Sequence, residues 1–421
     1  MLDKIDIVHA HEILDSRGNP TVHVTVVLKN GTRGHASVPS GASTGIHEAL
    51  ELRDGDKKRY RGLGVRKAVH NVNTVLAKTI HNMDVADLSG IDDAMRIVDG
   101  TDNKRRMGAN AILGVSMACA HAGARRASMP LFAYLRQIYQ LPLRGWKLPT
   151  PLMNVFNGGR HADTNLDMQE FIVIPHGLRS FSRKLQAGSE IFHALGDILH
   201  ADGLDTDVGN EGGYAPNVGK TEQALDYLLK AVKAAKYKPG KEVSFGIDVA
   251  ASEFFDEKTE KYILKTDRRR MTEKQMITLY EDWTKKYPML SIEDGLAEDA
   301  WEGWQEMTER LGDDILLIGD DLFVTNVDRV RRGIQLGVAN SVLIKLNQIG
   351  TMTETMQTIE LAQAHGYKIV ISHRSGETTD TTIADLAVAV NAEFIKSGAP
   401  SRSERLCKYN RLLEIEEELA D

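Results

Sequence analysis

The chain has 421 residues, enough for two domains or one large barrel with an attachment. Its two cysteines, Cys119 and Cys407, exclude a disulfide scaffold, and acids outnumber bases 59 to 52 for a net charge of -7, which argues against a nucleic-acid partner. MLDKIDIVHA at the start has no apolar signal core and no segment has the apolar run of a membrane span, so no membrane partner and a cytoplasmic location are expected.

The first 40 residues read as strands: IDIVHA, TVHVTVVL and GTRGHASV. Asn30-Gly31 joins the last two and favours a type I′ hairpin, so an antiparallel meander is expected. Apolar spacings of three and four predict helices over 65–80 and 108–126, completing an α+β capping domain over 1–140. Three prolines within LPLRGWKLPTP (141–151) mark its end, leaving 141–421 as the second domain. There PLMNVF and QEFIVIP are too close for a crossover helix and should pair antiparallel, and helices are predicted over 180–202 and 221–236.

Six apolar runs follow, each ending in an ionisable residue. SFGID, LSIED, LLIGDD, SVLIKL, IVISHRSG and EFIKSGAP carry Asp248, Glu293, Asp320, Lys345, His373 and Lys396. After a first gap of 45, these residues recur every 23 to 28 positions, the length of a strand, a helix and two short loops. The expected fold is α/β: an irregular TIM-type β/α barrel, ββαα and then six βα units, behind the capping domain. Such barrels keep their chemistry at the C-terminal strand ends, where these residues fall. Thr272 and Gln275 form a predicted capping box.

Asp248, Glu293 and Asp320 offer hard oxygen ligands from three successive strand ends, a set suited to Mg2+; the plainer reading is that each caps the next helix. Lys345 lies in an apolar strand, where an unpaired ammonium is costly or loses its proton, and a lowered pKa would fit it to act as a general base; the plainer reading is a structural lysine paired to a neighbouring acid. Ser372-His373-Arg374-Ser375-Gly376 combines cations, hydroxyls and a glycine suited to gripping a phosphate, and Gly41-Ala42-Ser43-Thr44-Gly45 reads as a flap over a ligand. NVGKT (217–221) imitates the end of a Walker A loop, but Tyr214 stands where its leading glycine should be, which excludes a nucleotide site.

DSRGNPT, PSGASTG, GANAILGVS, NGGxHAD, QEF, SIEDG, GDDLFVTN, KxNQIGT, SHRSGET and SGAPSRSER together resemble the enolase family along essentially the whole chain, with SIEDG in a form that looks bacterial. The resemblance implies Mg2+-dependent, reversible dehydration of 2-phospho-D-glycerate to phosphoenolpyruvate in glycolysis and gluconeogenesis. Lys345 would remove the C2 proton, and Glu211, aided by Glu170, would protonate the departing hydroxyl. Two Mg2+ ions per site are implied, the first on Asp248, Glu293 and Asp320 and the second on Ser43. Arg374 and Ser375 would hold the substrate phosphate and Lys396 its carboxylate, with Gln169 also on the substrate, His161 closing over it and His373 nearby.

Asn210 and Arg160 depart from the family pattern beside Glu211 and His161. The resemblance also implies a homodimer or an octamer of dimers, in which His11 and His23 would face Glu190 and Glu414 across a dimer boundary. Plasminogen binding after export without a signal peptide is a further family trait, for which FFDEKTEKY (254–262) is the candidate stretch and a solvated loop the plainer reading. The alternatives are a catalytically weak paralogue kept as a binding protein and a racemase or acid-sugar dehydratase on the same barrel; the latter would lack the flap and the phosphate grip.

Overall fold

The computed structural model describes residues 3–41 and 45–420. Strands β1 (Ile5–Leu14), β2 (Pro20–Leu28) and β3 (Arg33–Ser37) form an antiparallel sheet in that order, the expected meander. Alternation along β2 buries Val22, Val24 and Val26 and turns His23, Thr25 and Val27 the other way. The buried face packs on helix Ala109–Arg126, whose small residues permit close contact. Gly34 is needed there because a Cβ would lie 2.1 Å from the Ala118 carbonyl oxygen and 2.3 Å from the Ala122 nitrogen.

Two local expectations are corrected. The turn after β2 is not type I′: Gly31 has a φ of 86° but Asn30 does not enter the left-handed region, and Gly31 N donates to Leu28 O at 2.8 Å. This is a type I turn closed by a left-handed glycine, with Asn30 Oδ1 accepting from Thr32 N at 2.9 Å. The helix predicted over 65–80 widens into a π-turn at Val72–Leu76, between Arg66–Asn71 and Ala77–Ile80. That turn carries Asn73, whose amide accepts from Ala10 N at 2.6 Å and donates to Ala10 O at 3.0 Å, tying it to β1. Helices Leu88–Asp99 and Leu131–Ile138 were not predicted.

The second part is a closed eight-stranded barrel. It uses β4 (Thr150–Asn157), β5 (Glu170–Ile174), β6 (Ser244–Asp248), β10 (Met289–Glu293), β11 (Leu316–Gly319), β12 (Ser341–Ile344), β13 (Lys368–Ser372) and β14 (Phe394–Lys396). The six predicted runs are six of these strands. β5 pairs antiparallel with β4 and β6, and all other neighbours are parallel. Because β5 runs backwards, its first residue lies at the mouth, with Glu170 beside Asp248. Leu152, Ile172, Ile174, Ile318, Leu343 and Val370 fill the interior, which is packed rather than open. The long first gap holds a small sheet of β7 (Phe255–Asp256), β8 (Lys261–Leu264) and β9 (Arg269–Met271) before helix Glu273–Lys286, which starts with the predicted Thr272–Gln275 capping box.

The N-terminal part closes over the barrel mouth. Ser40 and Gly376 exchange backbone hydrogen bonds at 2.7 and 2.9 Å, and Lys104 meets Glu354 at 3.0 Å. Asp92, fully buried at the seam, accepts from Thr353 N at 3.0 Å and Thr353 Oγ1 at 2.7 Å. Burial raises its carboxyl to about 6.

Candidate active site

Strand register brings the ionisable residues together. Asp248 and Glu293 close β6 and β10, Asp320, Lys345 and His373 follow β11, β12 and β13, and Lys396 closes β14. One cavity at the mouth is lined by Lys345, Lys396, Glu170, Glu211, His161, His373, Gln169, Asp248, Arg374 and Ser375. Glu293 and Asp320 adjoin it through the two lysines, and Ser43 lies outside the described residues.

One side of the mouth is a lattice of carboxylates and ammonium groups. Lys396 Nζ stands 3.1 Å from Glu170 Oε2, 3.0 Å from Asp248 Oδ2 and 2.7 Å from Glu293 Oε1. Lys345 Nζ donates to Asp320 Oδ2, while Gln348 Nε2 donates to Asp320 Oδ1 at 2.8 Å. Gln169 Nε2 reaches Asp248 Oδ2 at 3.1 Å. The expectation of a lowered Lys345 pKa is overturned in favour of the plainer reading of a paired lysine: burial is the largest influence and pushes the pKa down, but the acids around it, Asp320 first and then Asp321, together raise it. The paired lysine keeps its proton as long as Asp320 faces it.

The carboxylates outnumber their cations. Burial, then repulsion from Asp248 and Asp320, holds Glu293 well above its usual range, despite Lys396. Asp294, whose oxygens accept from Asp320 N at 3.0 Å and Asp321 N at 2.8 Å, is likewise raised by burial and by Asp320. Asp294, Asp320 and Asp321 bring three ligand oxygens within 4.8 Å of one another. Crowded, dehydrated, oxygen-only donors fit a hard divalent cation such as Mg2+, which would relieve that repulsion.

The other side is organised by histidine and arginine. His161, on the short turn Gly159–His161, places Nδ1 3.2 Å from Glu170 Oε1 and 3.5 Å from Glu211 Oε1. Glu211 Oε2 accepts from Asn154 Nδ2 at 3.0 Å and faces His373 Nε2 at 3.2 Å. Buried Arg405 stands 2.7 Å from His373 Nδ1 and also reaches the backbone oxygens of Arg374 and Ser375 at 2.6 Å each. A guanidinium only donates, so Nδ1 accepts and the proton of neutral His373 sits on Nε2, towards Glu211. Burial lowers His373 to about 4. It also acts upwards on Glu211, but His161, His373 and Arg405 win and hold that carboxyl well below its usual range. Glu170 is raised by burial and by the Glu211 charge. Of this pair, Glu170 is therefore the weaker acid and Glu211 the stronger.

Arg374 is held by Glu48 at 3.0 and 3.1 Å and by Asn347 Oδ1 at 2.9 Å, and Ser375 Oγ accepts from Arg17 at 3.2 Å. Glu48, Gln348, Asp294, Asp321 and Arg405 had no assigned role in the sequence reading, although all but Glu48 lie within the strings SIEDG, GDDLFVTN, KxNQIGT and SGAPSRSER. Arg160 points away from the cavity to Glu253 at 2.6 Å. Asn210 acts through its backbone, donating to His161 O at 2.9 Å and accepting from Arg405 at 3.0 Å.

A capped β/α barrel with acids, lysines and histidines gathered at its strand ends is the architecture of a barrel enzyme. Two family models match the chain: the enolase N-terminal domain over residues 5–135 and the enolase C-terminal TIM barrel domain over residues 145–421. The chain belongs to the enolase family. Among the described residues no helix is long and apolar enough to cross a membrane.

Proposed function

We propose that this chain catalyses the phosphopyruvate hydratase reaction, the reversible dehydration of 2-phospho-D-glycerate to phosphoenolpyruvate. The observation that carries the reading is one cavity with Lys345 on one wall and the carboxyl pair of Glu170 and Glu211 on the other, beside an arginine and a serine suited to a phosphate. Asp248, Glu293 and Asp320 would hold Mg2+, with Ser43 for a second ion; bound there, Mg2+ supplies positive charge next to the substrate carboxylate and acidifies the neighbouring carbon.

Lys345 takes the C2 proton. It can do so once Asp320 is engaged elsewhere, because that carboxylate is what keeps the ammonium protonated. Across the cavity, the Glu170–Glu211 pair gives its proton to the departing 3-hydroxyl, with His161 placed against both carboxyls. Arg374 and Ser375 orient the phosphate, and Lys396 and Gln169 the carboxylate end. His373 holds Glu211 in place while remaining neutral itself. Each carboxyl shifts the other's acidity, so substitution of Glu170 and of Glu211 should each impair the acid step.

Assembly as a homodimer or an octamer of dimers, a bacterial-type lineage and a cap–barrel boundary at residues 140 and 141 belong to the same proposal; sedimentation tests the first. FFDEKTEKY lies on the β7–β8 hairpin, whose tip is exposed, the solvated segment of the plainer reading. The decisive experiment follows the absorbance of the enol phosphate product with purified protein, with and without Mg2+. Mg2+-dependent turnover supports the reading. No turnover from folded, Mg2+-binding protein would favour a weak paralogue kept for binding.

A further inference from the structure

The DSRGNPT turn between β1 and β2 presents an arginine that the barrel chemistry does not use. Gly18 N donates to Asp15 O at 2.9 Å, and Gly18 takes a left-handed φ of 74° that suits glycine. Asp15 Oδ1 accepts from Arg17 N at 2.8 Å and from Asn19 N at 2.9 Å, so the acid shapes the turn that carries Arg17. Its other oxygen, Oδ2, lies 3.7 Å from Arg17 Nη2.

Arg17 reaches two places at once. Nη1 donates to Ser375 Oγ at 3.2 Å, while Nη2 donates to Gly41 O at 3.0 Å and Ser40 O at 3.3 Å. Ser40 is a firm anchor: its Oγ accepts from Arg53 at 2.8 Å and donates to Glu51 at 3.0 Å, and its backbone exchanges hydrogen bonds with Gly376. Gly376 leaves the guanidinium its room, because a Cβ there would lie 2.6 Å from Arg17 Nη2 and from Asp15 Oδ2, and 2.8 Å from Ser40 O. A guanidinium only donates, so Ser375 Oγ gives a lone pair to Arg17 and keeps its proton for another acceptor. Ser375 lines the barrel cavity, where a phosphate oxygen can meet that proton.

We propose that Arg17 is a positioning residue for the phosphate: braced on the Ser40 anchor, it holds the Ser375 hydroxyl with its proton turned into the cavity. The role rests on the reading in which Ser375 grips the substrate phosphate. A hydroxyl left to rotate would have to be ordered by the incoming anion at a cost in affinity, and the arginine sets it in advance. Geometry matters here beyond charge. One guanidinium nitrogen faces Ser375 while the other faces Ser40 and Gly41, a fixed fork that a compact ammonium does not reproduce.

The test follows inorganic phosphate binding to the full chain in saturating Mg2+ by phosphorus NMR line broadening, together with steady-state kinetics on 2-phospho-D-glycerate. Arg17→Gln and Arg17→Lys should each weaken phosphate binding by about tenfold and raise KM by a similar factor, with kcat changed by less than about threefold. Gly376→Ala, which displaces the guanidinium without removing it, should do the same. In a Ser375→Ala background, Arg17→Gln should weaken binding by less than about twofold more, because both act through one hydroxyl. Matching circular dichroism spectra separate these losses from unfolding. Wild-type phosphate affinity in Arg17→Lys, or an Arg17→Gln loss that persists in full without the Ser375 hydroxyl, overturns the proposal. Should the wild-type protein bind phosphate through Ser375 and Arg17 yet turn nothing over, the role stands and the hydratase reading alone falls.

Discussion

Glu293 and Glu211 lie on opposite sides of the barrel mouth, both fully buried, yet they titrate in opposite directions. Glu293 sits among Asp248, Asp320 and Glu170 and is raised; Glu211 sits among His161, His373 and Arg405 and is lowered. Burial acts upwards on both, so the neighbours decide. The carboxylate side is short of positive charge and suited to a cation. The histidine side is satisfied by donors and keeps its charge without one.

The largest expected effect breaks the carboxylate side at Lys345. Lys345→Ala should lower turnover by about 100-fold to 10,000-fold, the usual worth of a positioned base, with Mg2+ binding retained; near-normal turnover would remove Lys345 from its role. Next comes Lys396, whose ammonium meets Glu170, Asp248 and Glu293 together. Lys396→Met should cost about 3–5 kcal/mol of stability in metal-free buffer, because it strands buried charge, and Mg2+ should restore part of the loss. Denaturant unfolding with and without Mg2+ checks both halves, and an unchanged midpoint would show that the carboxylates do not depend on this lysine.

On the histidine side the lever is pH. With His373 depressed to about 4, the unfolded chain binds the extra proton first as pH falls. The stability this histidine contributes is present above its unfolded pKa of about 6.5 and is lost as pH falls towards 4, by up to about 3 kcal/mol. His373→Gln should flatten that part of the stability curve; equal slopes in the two proteins would refute the assignment. The smallest effect uses Asp92 at the seam, raised to about 6, which has the opposite sign. Its contribution is present below about 3.8 and lost as pH rises through 6. Asp92→Asn should therefore gain about 2 kcal/mol at pH 8 relative to pH 4, after weaker bonds to Thr353 offset part of the change. Thermal melts at the two pH values measure it.

Much of the barrel was legible because each strand ends where an apolar run meets an ionisable residue, and the Thr272–Gln275 box marks a helix start by local chemistry alone. The small sheet β7–β9 was missed because two of its strands have only two or three residues, too few for alternation to show. Asn30-Gly31 was read by its dipeptide, but the length of the loop selected the turn. Glu48 was missed because its partner Arg374 is 326 residues away, and no local spacing carries such a pair.

The sequence by itself determined the periodicities: a meander, then ββαα, then six βα units with acids, lysines and a histidine at their ends. Those follow from side-chain alternation and helical spacing, which are local. Tertiary structure decided the protonation states. Lys345 could have lost its proton through burial or paired with an acid, and Asp320 with Asp321 decided for the pair; Glu170 and Glu211 look alike along the chain, and their neighbours separate them. Charge interactions act through space at a few ångströms, between strand ends that only barrel closure brings together.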